Sequence, residues 1–411
     1  MRFTVRLLAV LAIALTVRVG YVVAAKRHEP PQGDAIFYTL QAAQLAGGGG
    51  FTDPMTGRPA ADHPPLTALS LVPAAWLSDN DLVAMRLTNC VIGTGAVAAI
   101  AFLVWRLAGP RTALTAAALA ALYPGLWIND GVLMAESLAA LAVAVVLVAA
   151  YRLLARPTLL GSVSLGLLVG VATLARSELV LLWLFVVAPV LVVMTGLVRQ
   201  QRLLWGAASL VAVALPIAPW AIYNSTRFER PVILSTNGGP TIAGANCDDT
   251  YFGRGLGFWS YDCATADLPV GDASTVSAGL RRRATDYARH HVTRLPLVVA
   301  AREGRVWSVF KVRDMVSLNR GEGRERWASW LAFGSFWLLV PAGWVGWRRL
   351  RTSGKFTAPL TLLAAHVAVV AAAFYGLVRF RVPFEVVLVV LAAVGLTKAE
   401  RASVAGSSTS P

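Results

Sequence analysis

The chain has 411 residues, of which 56% are hydrophobic and only 14% are charged. Its apolar runs repeatedly reach the ~20 residues that a helix needs to cross a bilayer, which excludes an ordinary water-soluble protein. The formal charge of +15 does not indicate nucleic acid binding, because Lys and Arg lie mainly at the ends of apolar runs and in one polar segment. We therefore expect an all-α polytopic membrane protein.

Apolar runs bounded by charged residues predict about ten transmembrane helices. They lie near residues 7–25, 83–105, 112–128, 135–154, 158–175, 178–198, 204–222, 328–347, 357–376 and 382–397. The first run is longer than the apolar part of a usual secretory signal and is interrupted by Arg18, so we expect it to be retained as a span.

Basic residues fall in alternate short loops, which orients the chain. By the positive-inside rule these loops and both termini are cytoplasmic. The first loop, 26–81, and a long polar segment, 223–327, then share the outer face of the plasma membrane. The loops that fix this orientation hold Arg106, Arg111, Arg152, Arg156, Arg199, Arg202, Arg348, Arg349, Arg351 and Lys355.

The polar regions divide the chain into four parts. An N-terminal transmembrane module, 1–222, contains the first outer loop, in which 35–46 and 64–76 predict two amphipathic helices along the membrane surface. The outer-face segment 223–327 mixes turn-rich sequence with a basic helical stretch and predicts a small mixed subdomain. C-terminal transmembrane helices cover 328–397, and the Ser- and Gly-rich residues 398–411 predict a disordered cytoplasmic tail.

Cys247 and Cys263 lie in the same polar segment, whereas Cys90 lies in an apolar run. An oxidising compartment would allow the first two to form a disulfide. Two free thiols are the alternative, because spacing alone does not establish pairing.

Asp34 follows the first span and precedes a predicted helix. A carboxylate at this place can act as a general base toward an incoming hydroxyl. It can equally cap the helix by accepting from free backbone N–H groups. Both interpretations stay open at this point.

Asp62 and His63 precede Pro64 and Pro65, whose fixed backbone angles hold neighbouring side chains in a defined direction. His63 is a candidate phosphate contact, and Asp62 is a candidate ligand for a divalent cation. The alternative is a capped helix start with two solvent-facing polar residues.

Further charged residues lie near the outer ends of spans. Glu136 enters the fourth span, where a carboxylate either faces a cavity or reaches the interface. Arginine offers a planar fork of donors that matches phosphate oxygens. For each of these arginines, pairing within the protein or contact with lipid headgroups is the alternative to a role in the site. The arginines are Arg18, Arg176, Arg379 and Arg381.

The order and spacing of several short strings resemble the GT-C class of polyprenyl-phosphate-sugar-dependent glycosyltransferases, in the bacterial group with protein O-mannosyltransferases and aminoarabinose transferases. The resemblance covers nearly the whole chain. The strings are Gly33-Asp34, Asp62-His63-Pro64-Pro65-Leu66, Met134-Ala135-Glu136-Ser137, Leu174-Ala175-Arg176-Ser177-Glu178, Ser235-Thr236-Asn237-Gly238-Gly239 and Arg379-Phe380-Arg381-Val382-Pro383.

The resemblance implies transfer of a hexose or pentose, with inversion, from a polyprenyl-phosphate donor to a hydroxyl of a protein, lipid or glycan on the outer face. Asp34 is then the candidate base and Glu136 a second catalytic carboxylate, with Asp62 the candidate ligand of a divalent metal. The candidate contacts of the donor phosphate are His63, Arg176, Arg379, Arg381 and Arg18.

A transporter or flippase of a lipid-linked sugar or anionic solute is the alternative from another class. Many spans with intramembrane Arg and Glu also describe such a protein. The sequence shows no evident repeat between its halves, and its charged residues cluster toward the outer face. Both features favour the transferase.

Overall fold

The structure is a computed structural model that describes residues 2–194 and 196–397. No strand is present within these residues, and an isolated bridge pairs Thr52 with Pro59. The predicted all-α polytopic membrane fold is thereby confirmed. The tail predicted at 398–411 lies outside the described residues.

In the N-terminal part of the protein, the described residues from Arg2 to Ser225 form nine α-helices and the turns and loops between them. Its α-helices are α1 (Arg2–Tyr21), α2 (Asp34–Ala46), α3 (Leu66–Leu77), α4 (Leu82–Leu122), α5 (Pro124–Trp127), α6 (Glu136–Ala155), α7 (Leu159–Ala175), α8 (Ala188–Val193) and α9 (Arg199–Ser225). Short 3-10 or π turns at Val22–Lys26, Ile128–Gly131, Ser177–Leu181 and Trp183–Val187 connect them.

The long polar segment and the C-terminal part are built the same way. The segment contains α10 (Gly238–Ala245), α11 (Asp248–Tyr251), α12 (Tyr261–Thr265), α13 (Ala273–His290), α14 (Leu295–Val306) and α15 (Val312–Gly321). The C-terminal helices are α16 (Arg326–Thr352), α17 (Ala358–Ala373) and α18 (Val382–Leu396), with a 3-10 turn at Val378–Arg381.

Five helical stretches are long and apolar enough to cross a membrane: Phe3–Lys26, Leu82–Leu122, Glu136–Ala155, Arg199–Ser225 and Arg326–Thr352. The other predicted spans correspond to shorter or interrupted helices. The predicted pair 83–105 and 112–128 is joined in α4, which breaks at Gly109, with φ of 84°, before Pro110. The predicted span 178–198 is divided into three short pieces that end in α8.

Small residues set how closely the spans approach. A Cβ added to Gly166 of α7 would lie 2.1 Å from the Ser209 carbonyl oxygen of α9. A Cβ on Gly346 of α16 would lie 1.8 Å from the Leu391 carbonyl oxygen of α18. Backbone contact of this kind replaces the hydrophobic driving force that helices lack in lipid.

A disulfide joins Cys247 and Cys263, whose Cα atoms are 6.4 Å apart. It links the start of α11 to α12, close to α10. Cys90 is a buried free cysteine of α4. The disulfide closes a short loop beside α10, the helix whose first residues line the cavity described below.

A buried ion pair fixes the turn that precedes α6. Arg18 Nε lies 2.8 Å from Asp130 Oδ2, and both side chains are about 1% exposed. Asp130 Oδ1 accepts from the Ser137 hydroxyl at 2.5 Å. Because Asp130 and Ser137 flank Glu136 in sequence, the pair determines how α6 begins.

Removing one partner of this pair leaves a buried charge without compensation, which costs about 3–5 kcal/mol in proteins. We expect Arg18→Met to destabilise the protein strongly and the double variant Arg18→Met/Asp130→Asn to recover part of that loss. Thermal unfolding of purified protein in detergent measures both. Equal losses in the single and double variants would contradict the pairing.

Candidate active site

A polar cavity of about 140 Å³ lies where the first loop, the polar segment and the spans meet. Five parts of the chain contribute to its wall: α2 with the turn before α3, the start of α6, the Ser177–Leu181 turn, the start of α10, and the end of α17 with the Val378–Arg381 turn. The lining includes Asp34, Tyr38, His63, Glu136, Arg176, Glu178, Ser235, Asn237, Thr241, Tyr375 and Arg379.

Asp34 is the first residue of α2 and faces the cavity. Gly33 before it has φ of 57°, a backbone conformation that favours glycine, and no side chain caps the helix start. Asp34 Oδ2 instead accepts from Arg379 Nη1 at 2.6 Å, and Asp34 Oδ1 lies 3.6 Å from His63 Nε2. The interpretation of Asp34 as a helix cap is therefore not what the structure shows.

His63 is held by aromatic rings of the first loop. Its ring centroid lies 5.2 Å from that of Phe37 and 5.0 Å from that of Tyr38. The side chain is about 15% exposed and its Nε2 faces Asp34. Packing against these rings thus keeps a nitrogen beside the carboxylate.

Arg176 lies between two carboxylates at the other side of the cavity. Its Nη1 donates to Glu136 Oε1 at 2.7 Å, and its Nε donates to Glu178 Oε1 at 2.5 Å. Glu136 is about 1% exposed and Arg176 about 13%. The orientation of this guanidinium is fixed from both sides.

Two residues that the sequence analysis missed contact charged residues of the lining without lining the cavity themselves. Glu322 Oε1 lies 3.2 Å from Arg379 Nη1, and Glu322 Oε2 accepts from Arg324 Nη1. Arg324 Nη2 lies 3.7 Å from Glu136 Oε2. Both residues come shortly before α16, so the available signal was the Gly321-Glu322-Gly323-Arg324 string at the start of a span.

These contacts form one series of seven side chains with alternating charge, which we call the charge chain. Four members are acidic and three are basic. In spatial order they are Asp34, Arg379, Glu322, Arg324, Glu136, Arg176 and Glu178. Charges in a poorly hydrated site need partners of this kind, because desolvation of an unpaired ion is costly.

The charge chain sets the protonation state of Asp34. Partial burial favours the neutral carboxyl, but the Arg379 guanidinium and then the His63 imidazole outweigh it and hold the pKa of Asp34 well below its ordinary value. The Asp34 carboxylate is therefore ionised at neutral pH.

Two arginines predicted as phosphate contacts lie outside the cavity, which corrects their assignment. Arg18 is committed to Asp130, as described above. Arg381 is fully buried, lies 2.6 Å from Glu385 Oε1 through its Nε, and donates to Ser308 Oγ at 3.0 Å. Each satisfies a buried carboxylate in the helix packing and not at the site.

The residues present do not fit a resident divalent cation. Each carboxylate of the cavity already contacts a guanidinium, which a cation with oxygen ligands would have to displace. Asp62 is exposed and is not part of the lining. Within residues 2–194 and 196–397 no group of three or more His, Cys, Asp or Glu is placed to hold a metal.

Comparison with known families supports the class that fold and cavity suggest. Residues 62–223, less than half of the chain, match the model of a family described as dolichyl-phosphate-mannose-protein mannosyltransferase. This range contains His63, Glu136 and Arg176, whereas Asp34 and Arg379 lie outside it. None of the curated proteins matches the sequence significantly.

Solved structures of an oligosaccharyltransferase from Archaeoglobus fulgidus share the fold. Its apo form matches with a TM-score of 0.55 at 16% identity, covering 96% of this chain and 50% of that one. The same values hold for the protein, AglB, in complex with an inhibitory peptide and a dolichol-phosphate. Its complex with Zn and sulfate gives a TM-score of 0.54 at 15% identity, covering 95% and 48%.

The chain thus spans about half the length of these structures, and at this identity the likeness shows the fold alone. The family match and the fold together confirm the resemblance to the GT-C class that the sequence predicted.

The lowered pKa of Asp34 predicts a pH-dependent contribution to stability. Because its pKa is lower in the folded than in the unfolded chain, the ionised carboxylate stabilises the fold above its ordinary pKa of 3.8. This contribution is lost as the pH falls from there through the lowered pKa. We expect Asp34→Asn to unfold at a lower temperature than the wild type at pH 7 and pH 5, with a smaller difference at pH 3. A difference independent of pH would contradict the assigned pKa.

Proposed function

We propose that the protein is a membrane glycosyltransferase that transfers a sugar from a polyprenyl-phosphate donor to an acceptor hydroxyl on the outer face of the plasma membrane. The observation that carries the proposal is the contact between Asp34 and Arg379 in the cavity. These residues are 345 positions apart, and Arg379 Nη1 donates to Asp34 Oδ2 at 2.6 Å, which supports a proton acceptor and a phosphate ligand acting side by side.

The reaction uses the two halves of that contact differently. Asp34 accepts the proton of the acceptor hydroxyl as its oxygen attacks the anomeric carbon of the sugar. The bond from that carbon to the phosphate oxygen breaks on the opposite face, so the configuration inverts. The polyprenyl phosphate leaves with one more negative charge than the phosphate of the donor carried.

Arg176 and Arg379 stabilise this developing charge in our proposal. Arg176 binds carboxylates through Nε and Nη1, which leaves its Nη2 for a phosphate oxygen. Arg379 has a buried Nε that makes no hydrogen bond within the described residues. Donors held in place before the reaction stabilise such charge without reorganisation. Glu136 keeps Arg176 in this orientation, and His63 keeps its Nε2 beside Asp34.

The proposed function also includes the outer face, the cytoplasmic termini, the polyprenyl phosphate donor and a mannosyl-type specificity. The Cys247–Cys263 disulfide supports an oxidising outer compartment for the polar segment. The family description, which names a dolichyl-phosphate-mannose donor, supports a lipid-linked hexose, and protein, lipid and glycan hydroxyls are the candidate acceptors.

Asp34→Asn tests the proposed base. General base catalysis is worth about 10²–10⁴-fold, so we expect sugar transfer from labelled polyprenyl-phosphate sugar to fall by about 100-fold or more. Asp79→Asn is the matched control, because Asp79 is an exposed aspartate of the same loop with φ of 51°, which Asn tolerates. Transfer that survives Asp34→Asn would remove Asp34 from the mechanism, and movement of the lipid-linked sugar without transfer would favour a flippase.

Chelation tests the metal that the sequence suggested at Asp62. Because arginines already neutralise the carboxylates of the cavity, we expect transfer to persist in EDTA for both the wild type and Asp62→Asn. Loss of transfer in EDTA, restored by one divalent cation, would contradict this expectation and return the metal to the mechanism.

A further inference from the structure

The loop before α16 reaches into the site from the polar segment. Lys26, about 1% exposed at the end of the first span, donates to the Gly323 carbonyl at 2.6 Å and lies 2.8 Å from Glu325. Gly323 has φ of 82°, a conformation that favours glycine. The loop is therefore held firmly between Glu322, which faces Arg379, and Glu325, which faces Lys26.

Arg379 is shared between two carboxylates. Its Nη1 lies 2.6 Å from Asp34 Oδ2 and 3.2 Å from Glu322 Oε1, while its Nη2 donates to the Tyr375 hydroxyl at 2.9 Å. Asp34 is the proposed base, whereas Glu322 does not line the cavity and so does not meet the acceptor hydroxyl. In the proposed reaction Asp34 therefore loses its charge, while Glu322 keeps its charge beside Arg379.

The proposed reaction changes the charges that surround Arg379. In the resting site Asp34 and Glu322 each place a negative charge beside Arg379. After transfer Asp34 is neutral, because it holds the proton of the acceptor, and the leaving phosphate has gained one negative charge. During a single turnover the contact of Arg379 with Asp34 therefore weakens, and its contact with the phosphate strengthens.

Arg379 also lines a second cavity. This small cavity has a volume of about 20 Å³ and is also lined by Arg324, Asn319 and Asn129. Arg379 thus borders both cavities. Room of this size accommodates about one water molecule, or a small displacement of the side chain.

We propose that Glu322 is a positioning residue of the sugar transfer, which holds Arg379 as Asp34 releases it and competes with the phosphate so that the product can leave. The inference rests on the proposed function. It assigns to the polar segment a direct part in the chemistry of the donor, although Glu322 touches neither sugar nor acceptor.

Glu322→Gln tests the inference, because glutamine keeps the shape and an acceptor oxygen but removes the charge. With one competing anion gone, Arg379 binds Asp34 and phosphate more tightly. We expect polyprenyl phosphate to bind about fivefold or more tighter than to the wild type, and kcat and the KM of the donor to fall together by a similar factor, because product release becomes slower. Glu322→Asp should restore most of kcat.

Two controls separate this role from a structural one. Arg320→Gln changes an exposed arginine of the same turn and should leave kcat and product affinity within about twofold of the wild type. In an Arg379→Lys background, Glu322→Gln should change product affinity much less than in the wild type, because the two residues act on one another.

Different outcomes test the role of Glu322 and the proposed sugar transfer. Product binding that is weaker or unchanged in Glu322→Gln, in a protein that still transfers sugar, overturns the role of Glu322 alone. An equal effect in the Arg379→Lys background also overturns it, since Glu322 would then act through Arg324 or the fold. A wild type that binds polyprenyl phosphate but transfers no sugar overturns the proposed function itself.

Discussion

The need to pair every buried charge organises this structure. A carboxylate or guanidinium that leaves water without a partner costs several kcal/mol, and more within a bilayer. The protein meets this cost with the charge chain that runs from Asp34 to Glu178. Its members come from the first loop, three transmembrane regions and the end of the polar segment. The charge chain therefore also holds these parts of the protein together.

The same pairing suits the chemistry that we propose. Ions that are already paired and desolvated respond strongly to a new charge, because little water reorganises around them. A phosphate that enters between Arg176 and Arg379 meets donors whose directions are set by Glu136, Glu178 and Glu322. A second layer supports the first: the Arg18–Asp130 pair fixes the start of α6, and Glu385 holds Arg381 beside the turn that carries Arg379.

Sequence predicted the fold well where hydrophobic length decides. The runs at 7–25, 135–154, 204–222 and 328–347 correspond to long apolar helices, because ~20 apolar residues have few alternatives to a span. The run at 178–198 has the right composition but is broken into short pieces. The length of an apolar run predicts a span but does not show whether its helix is continuous. Here the helix is interrupted near its start, where Ser177 and Glu178 line the cavity.

The ion pairs of the site were much harder to predict from sequence than the spans. Asp34, His63, Glu136, Arg176 and Arg379 were predicted from position and resemblance, and they share one cavity. Arg18 and Arg381 looked equivalent in sequence, but partners distant in the chain, Asp130 and Ser308, draw them away. Glu322 and Arg324 carried no distinctive motif, since their importance comes from contacts with residues up to 195 positions away, such as the bond from Arg324 to Asn129.

A structure of the full chain with bound polyprenyl phosphate tests the central claim most directly. The account predicts that the phosphate lies within hydrogen-bond distance of both Arg176 and Arg379, and that the Asp34 carboxylate has lost its direct contact with Arg379. A phosphate bound elsewhere, for example on the basic surface of α13, with Asp34 and Arg379 still 2.6 Å apart, would contradict it.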